Sequence, residues 1–311
     1  MSAVLNTNTA SLWAAKNLLG AQNRLAASVE RLSSGLRINR ARDDAAGLGV
    51  ANSLTAQING ANQGMRNLND AISMVQTAEG AIAAASEMGQ RILMLATQGA
   101  NGTLGATERA AIKSEMRELV SSINSISGRT KFSGNPLLAY NKTTDGTTAV
   151  PPDADLYSMQ ISNTSSDVVA LNSNAFLSVG VDGTVGANGA AQAGKGQAFD
   201  LDAKITAINT ADTAAAVTID FQDVQTAANS YVVALGTQRA LLGAYQNQME
   251  YTLANITELS SNLSSARSRV IDTDYASETA ALTRGQILQQ AATAMLAQAN
   301  QMPNVILTLL K

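Results

Sequence analysis

The chain has 311 residues, enough for one large domain or two to three small ones, and 45% of them are apolar while only 4% are aromatic. Packing therefore falls to alanine, leucine and valine, which suits close helix–helix contact better than a bulky core around a ligand. A net charge of −3 gives no general pull toward nucleic acid or anionic membrane, and the absence of His and Cys removes Cys nucleophiles, His bases, Cys/His zinc sites, iron–sulfur ligation and disulfides. The start, MSAVLNTNTASLWAAKNLL, has no basic segment followed by an apolar one, and no run of eighteen apolar residues exists. On composition alone the chain is expected in the cytoplasm, with no membrane insertion, no cofactor and no metal.

The first predicted element is a helix with two apolar rows. Leu5, Leu12 and Leu19 recur every seven residues, and Leu18, Leu25, Val29, Leu32 and Leu36 form a second row. A break is predicted in SSGLRINRARDDAAG, where Gly35 and Gly47 flank a charged stretch. The next helix carries Leu68, Ile72, Val75, Ala78, Ile82, Ala85, Ile92 and Leu95 and stops in QGANGTLGATE. Thr107 is the expected N-cap of a third helix, with Ile112, Met116, Leu119, Ile123 and Ile126 on its apolar face. Between about residues 136 and 222 the helical rhythm fades. LYSMQISN, DVVALNS, FLSVGVDG and AVTIDF read as short strands, DLDAKITAINTADT as a short helix, and VDGTVGANGAAQAGKGQ as an exposed glycine-rich loop.

The most regular segment follows. Val224, Ala228, Tyr231, Leu235, Gln238, Leu242, Tyr245, Met249, Thr252, Ile256, Leu259, Leu263, Ala266 and Val270 keep a four–three rhythm, predicting a helix of roughly 70 Å in a left-handed coiled pairing. The chain closes on ILQQAATAMLAQANQMPNVILTLLK, in which Leu288, Ala292, Met295, Ala299, Met302, Ile306 and Leu309 form a heptad seam. An isolated helix of this kind is marginal in water, so a partner must cover it. The predicted fold class is mainly α: a long antiparallel helical coiled-coil bundle formed by both chain ends, with a small β-hairpin-containing insert in the middle.

ERLSSGLRINRARDDAAGLGVAN near the start and NLSSARSRVIDTDYASETAALTRGQILQQAATAMLAQANQMPNVILTLL at the end resemble bacterial flagellin. The resemblance covers roughly the first 140 and last 90 residues. It implies a short form without large outer domains: 1–42 with 272–311 as an inner helical domain, 43–180 with 198–271 as an outer helical domain with a β-hairpin, and 181–197 as a variable loop. It implies a structural subunit, not an enzyme, that self-assembles into the extracellular filament used for swimming. The terminal helices would fold and pack in one event.

Under that resemblance Leu5, Leu12, Leu18, Leu25, Val29, Leu32, Leu288, Met295, Met302, Ile306 and Leu309 become the filament-core packing set. Arg37, Arg40, Arg42, Asp43 and Asp44, with Arg267, Arg269, Asp272 and Asp274 on the returning chain, become a charged joint between the layers. Arg91, Leu95 and Glu115 match, by position, the surface recognised by the vertebrate Toll-like receptor for this family. Leu93 and Met94 stand where recognised members carry further charges, and burial between subunits is the expected native role of that strip. The implied partners are identical subunits, an export chaperone, a filament cap and hook-associated proteins. A hook–filament junction protein and a flagellin-like surface binding or adhesion module are the alternatives.

Overall fold

In this computed structural model the structure describes residues 8–138, 155–172, 201–208 and 214–309, with only the backbone for 155, 156, 172, 214–216 and 302–309. Helix α1 (Thr9–Ser34) starts where Asn8 accepts a hydrogen bond from the Ser11 amide at 3.1 Å. It stops at Gly35, whose φ of 72° lets its N–H reach the Arg31 carbonyl at 2.8 Å. Helices α2 (Ala45–Gly99), α3 (Ala106–Arg129), α4 (Leu201–Ala207), α5 (Ala214–Ile271) and α6 (Tyr275–Leu309) follow. Two antiparallel hairpins, β1–β2 (Lys131–Phe132, Asn135–Pro136) and β3–β4 (Asp155–Gln160, Val168–Asn172), lie between α3 and α4. The described residues fall into two compact units, one within Met1–Asn59 and Ser260–Lys311, the other within Gly60–Leu259.

The larger unit is built on α2 and α5. Thr257 donates to the Met65 sulfur at 3.4 Å, Gln246 to Glu79 at 3.2 Å and Gln225 to Thr97 at 3.1 Å, so the two helices run antiparallel. Their shared seam is apolar: Leu68, Val75, Ala78, Ile82, Ala85, Ile92 and Leu95 meet Val224, Ala228, Tyr231, Leu235, Leu242 and Met249, all buried. Each fully buried Leu, Ile or Met contributes on the order of 1.5–3 kcal/mol as an upper estimate. The four–three rhythm of α5 is buried as far as Ile256 and loosens after it, where Leu259 is exposed and Leu263, Ala266 and Val270 are half-buried. Helix α3 adds Ile112, Met116, Val120 and Ile123 to the same core. Lys113 closes α4 by donating to the Thr206 and Ile208 carbonyls at 3.0 and 2.6 Å, and burial draws its ammonium below the ordinary lysine value.

Two expectations are corrected. AVTIDF was expected as a strand, yet it lies inside α5, because Val217, Phe221 and Val224 recur at helical spacing and are fully buried. Thr107 was expected as an N-cap, but it lies within α3, whose cap is Gly105 and carries no side-chain hydrogen bond. Hairpin β3–β4 and helix α4 form where expected. The β1–β2 hairpin was not foreseen; Ser133 and Gly134, with φ of 51° and 86°, make the left-handed two-residue turn that such a hairpin needs. FLSVGVDG and the loop 181–197 lie outside the described residues.

Hairpin β3–β4 is seated on α2 by a glycine notch. A Cβ on Gly64 would lie 2.1 Å from the Ile161 carbonyl oxygen, and one on Gly60 would lie 2.8 Å from the Asn163 nitrogen. Asn67 completes the seat by donating to the Gln160 carbonyl at 2.7 Å. Gly64→Ala is therefore expected to destabilise the protein by about 1–3 kcal/mol in urea unfolding. Gly80→Ala, in the same helix with nothing within 4 Å of the added carbon, is expected to stabilise it by about 0.5–1 kcal/mol. Equal effects from the two would mean that the notch has no role.

Candidate functional site

The terminal unit pairs α1 with α6. Asn8 donates to the Ala299 carbonyl at 2.7 Å, Ser11 to the Asn300 side chain at 2.9 Å, and Arg31 pairs with Glu278 at 3.6 Å, so these helices also run antiparallel. The covered face of α1 is Ser11, Ala14, Leu18, Ala21, Leu25, Ser28 and Leu32, stepping by three and four. The covered face of α6 is Glu278, Leu282, Gly285, Gln289, Ala292, Leu296 and Ala299, in the same rhythm. The fully buried positions in both rows are mostly small: Ala14, Ala21, Ser28, Gly285 and Ala299. Small side chains let helix axes approach closely.

Other large apolar side chains face away. Leu12, Leu19 and Val29 on α1 are exposed, as are Leu288 and Met295 on α6, the last by 64%. Leu18, Leu25 and Leu32 are half-buried on the α1–α6 seam. Ala292 and Ala299 lie on the covered face while Leu288 and Met295 flank it, so the single heptad row read from Leu288 divides between two faces. Leu5 lies outside the described residues, and at Met302, Ile306 and Leu309 the description stops at the helical backbone. Trp13, 67% exposed, and Ile287, 60% exposed, belong to the outward set and were missed. Their signal was adjacency to Leu12 and Leu288. A groove of about 530 Å³ runs along α1 between Leu25, Ala26 and Val29 and ends at Glu30 and Arg40.

The joint where α1 gives way to α2 and α5 to α6 is a main-chain clasp. Arg37 N–H donates to the Ile271 carbonyl at 2.6 Å and Thr273 N–H to the Gly35 carbonyl at 2.9 Å, making a single antiparallel bridge between Leu36 and Asp272. The Arg37 guanidinium adds a bond to the Val270 carbonyl at 2.6 Å. Asp44 accepts from the Gly47 amide at 2.8 Å and Asp274 from the Ala276 amide at 3.0 Å, so each satisfies free donors in the first turn of α2 and α6. Asp43 accepts from the Asn39 and Arg40 amides at 3.2 and 2.9 Å. The Arg40 amide, first among several causes, holds its carboxyl below the ordinary value of 3.8.

The cationic side of the joint converges on a residue that the sequence did not single out. Glu30 takes Arg40 at 2.7 Å, Asn39 at 3.0 Å and Arg42 at 3.9 Å, and Arg42 also lies 3.6 Å from Asp43. Among the described residues, Arg267, Arg269 and Asp272 form no ion pair, and the Arg267 Nε is buried without a hydrogen-bond partner. In the other unit Arg91 grips Glu115 through two nitrogens at 2.9 and 2.6 Å, both side chains about half exposed. Leu95 is 2% exposed in the core, so its side chain is not part of the surface that carries this pair. No group of His, Cys, Asp and Glu suited to a metal occurs among the described residues, and none of their helices is long and apolar enough to cross a membrane.

Residues 5–143 match the family described as the bacterial flagellin N-terminal helical region, and residues 224–310 match the bacterial flagellin C-terminal helical region. The flagellin of Bacillus subtilis is 38% identical over 311 aligned residues, covering 99% of both chains. Flagellin B of Vibrio cholerae is 33% identical over 375 aligned residues, covering 100% of both. The flagellin of Halalkalibacterium halodurans is 37% identical, covering 99% of this chain and all of its own.

Two outcomes are expected at the joint. Asp44→Ala and Asp274→Ala should each lower stability by about 1 kcal/mol in denaturant unfolding, the cost of a lost helix cap. The depressed Asp43 carboxyl stabilises the fold above its unfolded value, and this contribution disappears as pH falls through the lower folded value. Asp43→Asn should therefore flatten the acid limb of a stability–pH curve below about pH 4 and change little near neutrality. A parallel downward shift at every pH would show that the ionised carboxylate is not the cause.

Proposed function

We propose, from the premise that the chain belongs to the bacterial flagellin family, how its surfaces divide the work of building a filament. The protein is a structural subunit of a flagellar filament and not an enzyme. The observation that carries the reading is the sorting of side chains on α1 and α6. The helices meet through alanine, glycine and serine interleaved with the half-buried Leu18, Leu25, Leu32, Leu282 and Leu296, while Leu12, Trp13, Leu19, Val29, Ile287, Leu288 and Met295 stay outside. So many large apolar side chains left exposed on two paired helices point to an interaction surface. Neighbouring copies are the occupants, and the α1 groove ending at Glu30 and Arg40 is a seat for one of their terminal helices.

Assembly and ordering of the ends are then coupled. Fixing a residue costs about 1–2 kcal/mol in backbone entropy, and the narrow α1–α6 seam offsets only part of it. Burial of the outward row against other copies supplies the remainder. Export from the cell precedes assembly, with a chaperone shielding the same apolar row before polymerisation and a cap guiding addition at the growing end. The Arg91–Glu115 strip is buried between subunits in the filament and meets a Toll-like receptor only on dispersed subunits. Arg37, Asp44 and Asp274, through the clasp and caps, fix the direction in which the terminal helices leave the joint.

Seeded growth tests the reading. Purified subunit mixed with sheared filament seeds should elongate them, and a chain lacking residues 272–311 should not, by light scattering and electron microscopy. Met295→Glu and Leu19→Glu should each raise the free-subunit concentration at which growth stops by roughly tenfold or more. Growth that tolerates the deletion or both charges would overturn the assignment. Seeds that never elongate with the intact chain would favour a junction protein.

A further inference from the structure

We propose that Asn101–Gly102, in the turn between α2 and α3, is a site of spontaneous deamidation. The sequence Asn-Gly occurs at Asn59, Asn101 and Asn188; the last lies outside the described residues. Asn59–Gly60 sits inside α2, where the glycine nitrogen is engaged in the helix and the backbone turns it away from the preceding side chain. Asn101–Gly102 lies between helices in an exposed turn closed by Leu104 N–H donating to the Asn101 carbonyl at 3.3 Å. No described group accepts the Gly102 N–H. An identical dipeptide is thus locked in one place and open in the other.

The turn also polarises the reacting carbonyl. Asn101 Oδ1 accepts from the Thr103 amide at 3.2 Å and from the Thr103 hydroxyl at 3.0 Å. These bonds fold the side-chain amide over the following peptide and face the oxygen that becomes negative when Cγ is attacked. In the reaction the Gly102 nitrogen gives its proton to hydroxide and forms a bond to Cγ. The Cγ–Nδ2 bond breaks, and the amide nitrogen takes a proton from the water so formed and leaves as ammonia, regenerating hydroxide. Water then opens the five-membered imide: attack at Cγ yields Asp, and attack at the main-chain carbonyl yields isoaspartate.

A buried cation lies beside the turn, on the main-chain side of Asn101. Arg109 is 3% exposed, donates to the Asn101 carbonyl at 3.3 Å and has a buried Nε with no partner among the described residues. The new charge also lies before α3, whose cap offers no side-chain acceptor. Conversion to Asp therefore adds a charge that the site accommodates. The inference depends on the turn alone and stands whether or not the chain polymerises.

The full chain, incubated at mildly alkaline pH, is followed by peptide mass mapping and enzymatic isoaspartate labelling. Acid at 101 should accumulate at least on the order of tenfold faster than at 59, and faster as pH rises. Gly102→Ala places its carbon in open space, so the fold is retained while conversion slows. Thr103→Val should slow it by roughly tenfold through loss of one donor. Asn101→Asp should melt no lower than the parent. Equal rates at 59 and 101, or faster conversion in Thr103→Val, would overturn the site; a lower melting Asn101→Asp would overturn the role given to Arg109.

Discussion

The structure depends on how closely two helices can approach when the residues between them are small. Ala14, Ala21 and Ser28 on α1 and Gly285, Ala292 and Ala299 on α6 alternate along the seam with half-buried leucines, and a Cβ on Gly285 would lie 3.6 Å from the Leu25 side chain. Small and large residues interleave there and give the pair a definite register, yet Leu12, Trp13, Leu19 and Val29 on α1 and Ile287, Leu288 and Met295 on α6 are left outside it. The pair thus keeps large apolar side chains that no described residue of its own chain covers.

The α2–α5 pair applies the opposite rule. There the seam takes large residues, and glycines make room for the largest. The Tyr231 ring lies where a Gly89 Cβ would be, and the Phe221 ring where a Gly99 Cβ would be. These two contacts act as knobs in fixed holes, so sliding one helix past the other would drive an aromatic ring into backbone. Glu79 holds the same register from the polar side, reaching Gln246 at 3.2 Å and Arg239 at 3.6 Å, two positions seven residues apart. The surface pair with Arg239 contributes little energy, but it reports the alignment that the rings enforce. One chain therefore contains a helix pair stable in itself and another whose outer face is unsatisfied.

Periodicity exposed most of this architecture to a reader of the sequence. The row from Leu68 to Leu95 and the row from Val224 to Ile256 are buried almost residue for residue, because large apolar side chains at heptad spacing have only one face to occupy. Short elements were less legible. AVTIDF is rich in β-branched residues and lies close to real strands, so local preference pointed to a strand while Val217, Phe221 and Val224 placed it on the core face of α5. At the α3 start, Thr107 has the chemistry of a cap and Gly105 does not, yet the turn through Asn101 and Leu104 brings Gly105 to the cap position. The candidate surface was legible in part. Leu288 and Met295 stood out, but periodicity alone does not say whether a seam faces its own chain or another, since both cover a stripe. The residues that decide it are the small ones, Gly285 and Ala299, which a search for apolar rows passes over.

The joint shows the same limit from another direction. Arg40, Arg42, Asp43 and Asp44 are adjacent in sequence, and adjacency of opposite charges suggests that they neutralise one another. Their geometry assigns them separate tasks. Asp43 and Asp44 are spent on backbone amides, which charge-assisted bonds reward more than an exposed ion pair does. Arg40 and Arg42 reach back to Glu30, ten and twelve residues earlier on α1, and Arg42 also stays 3.6 Å from Asp43. Since Glu30 also lines the groove along α1, the turn that redirects the chain and that groove share one carboxylate. The direction in which a terminal helix leaves the joint and the shape of the groove beside it are consequently set together.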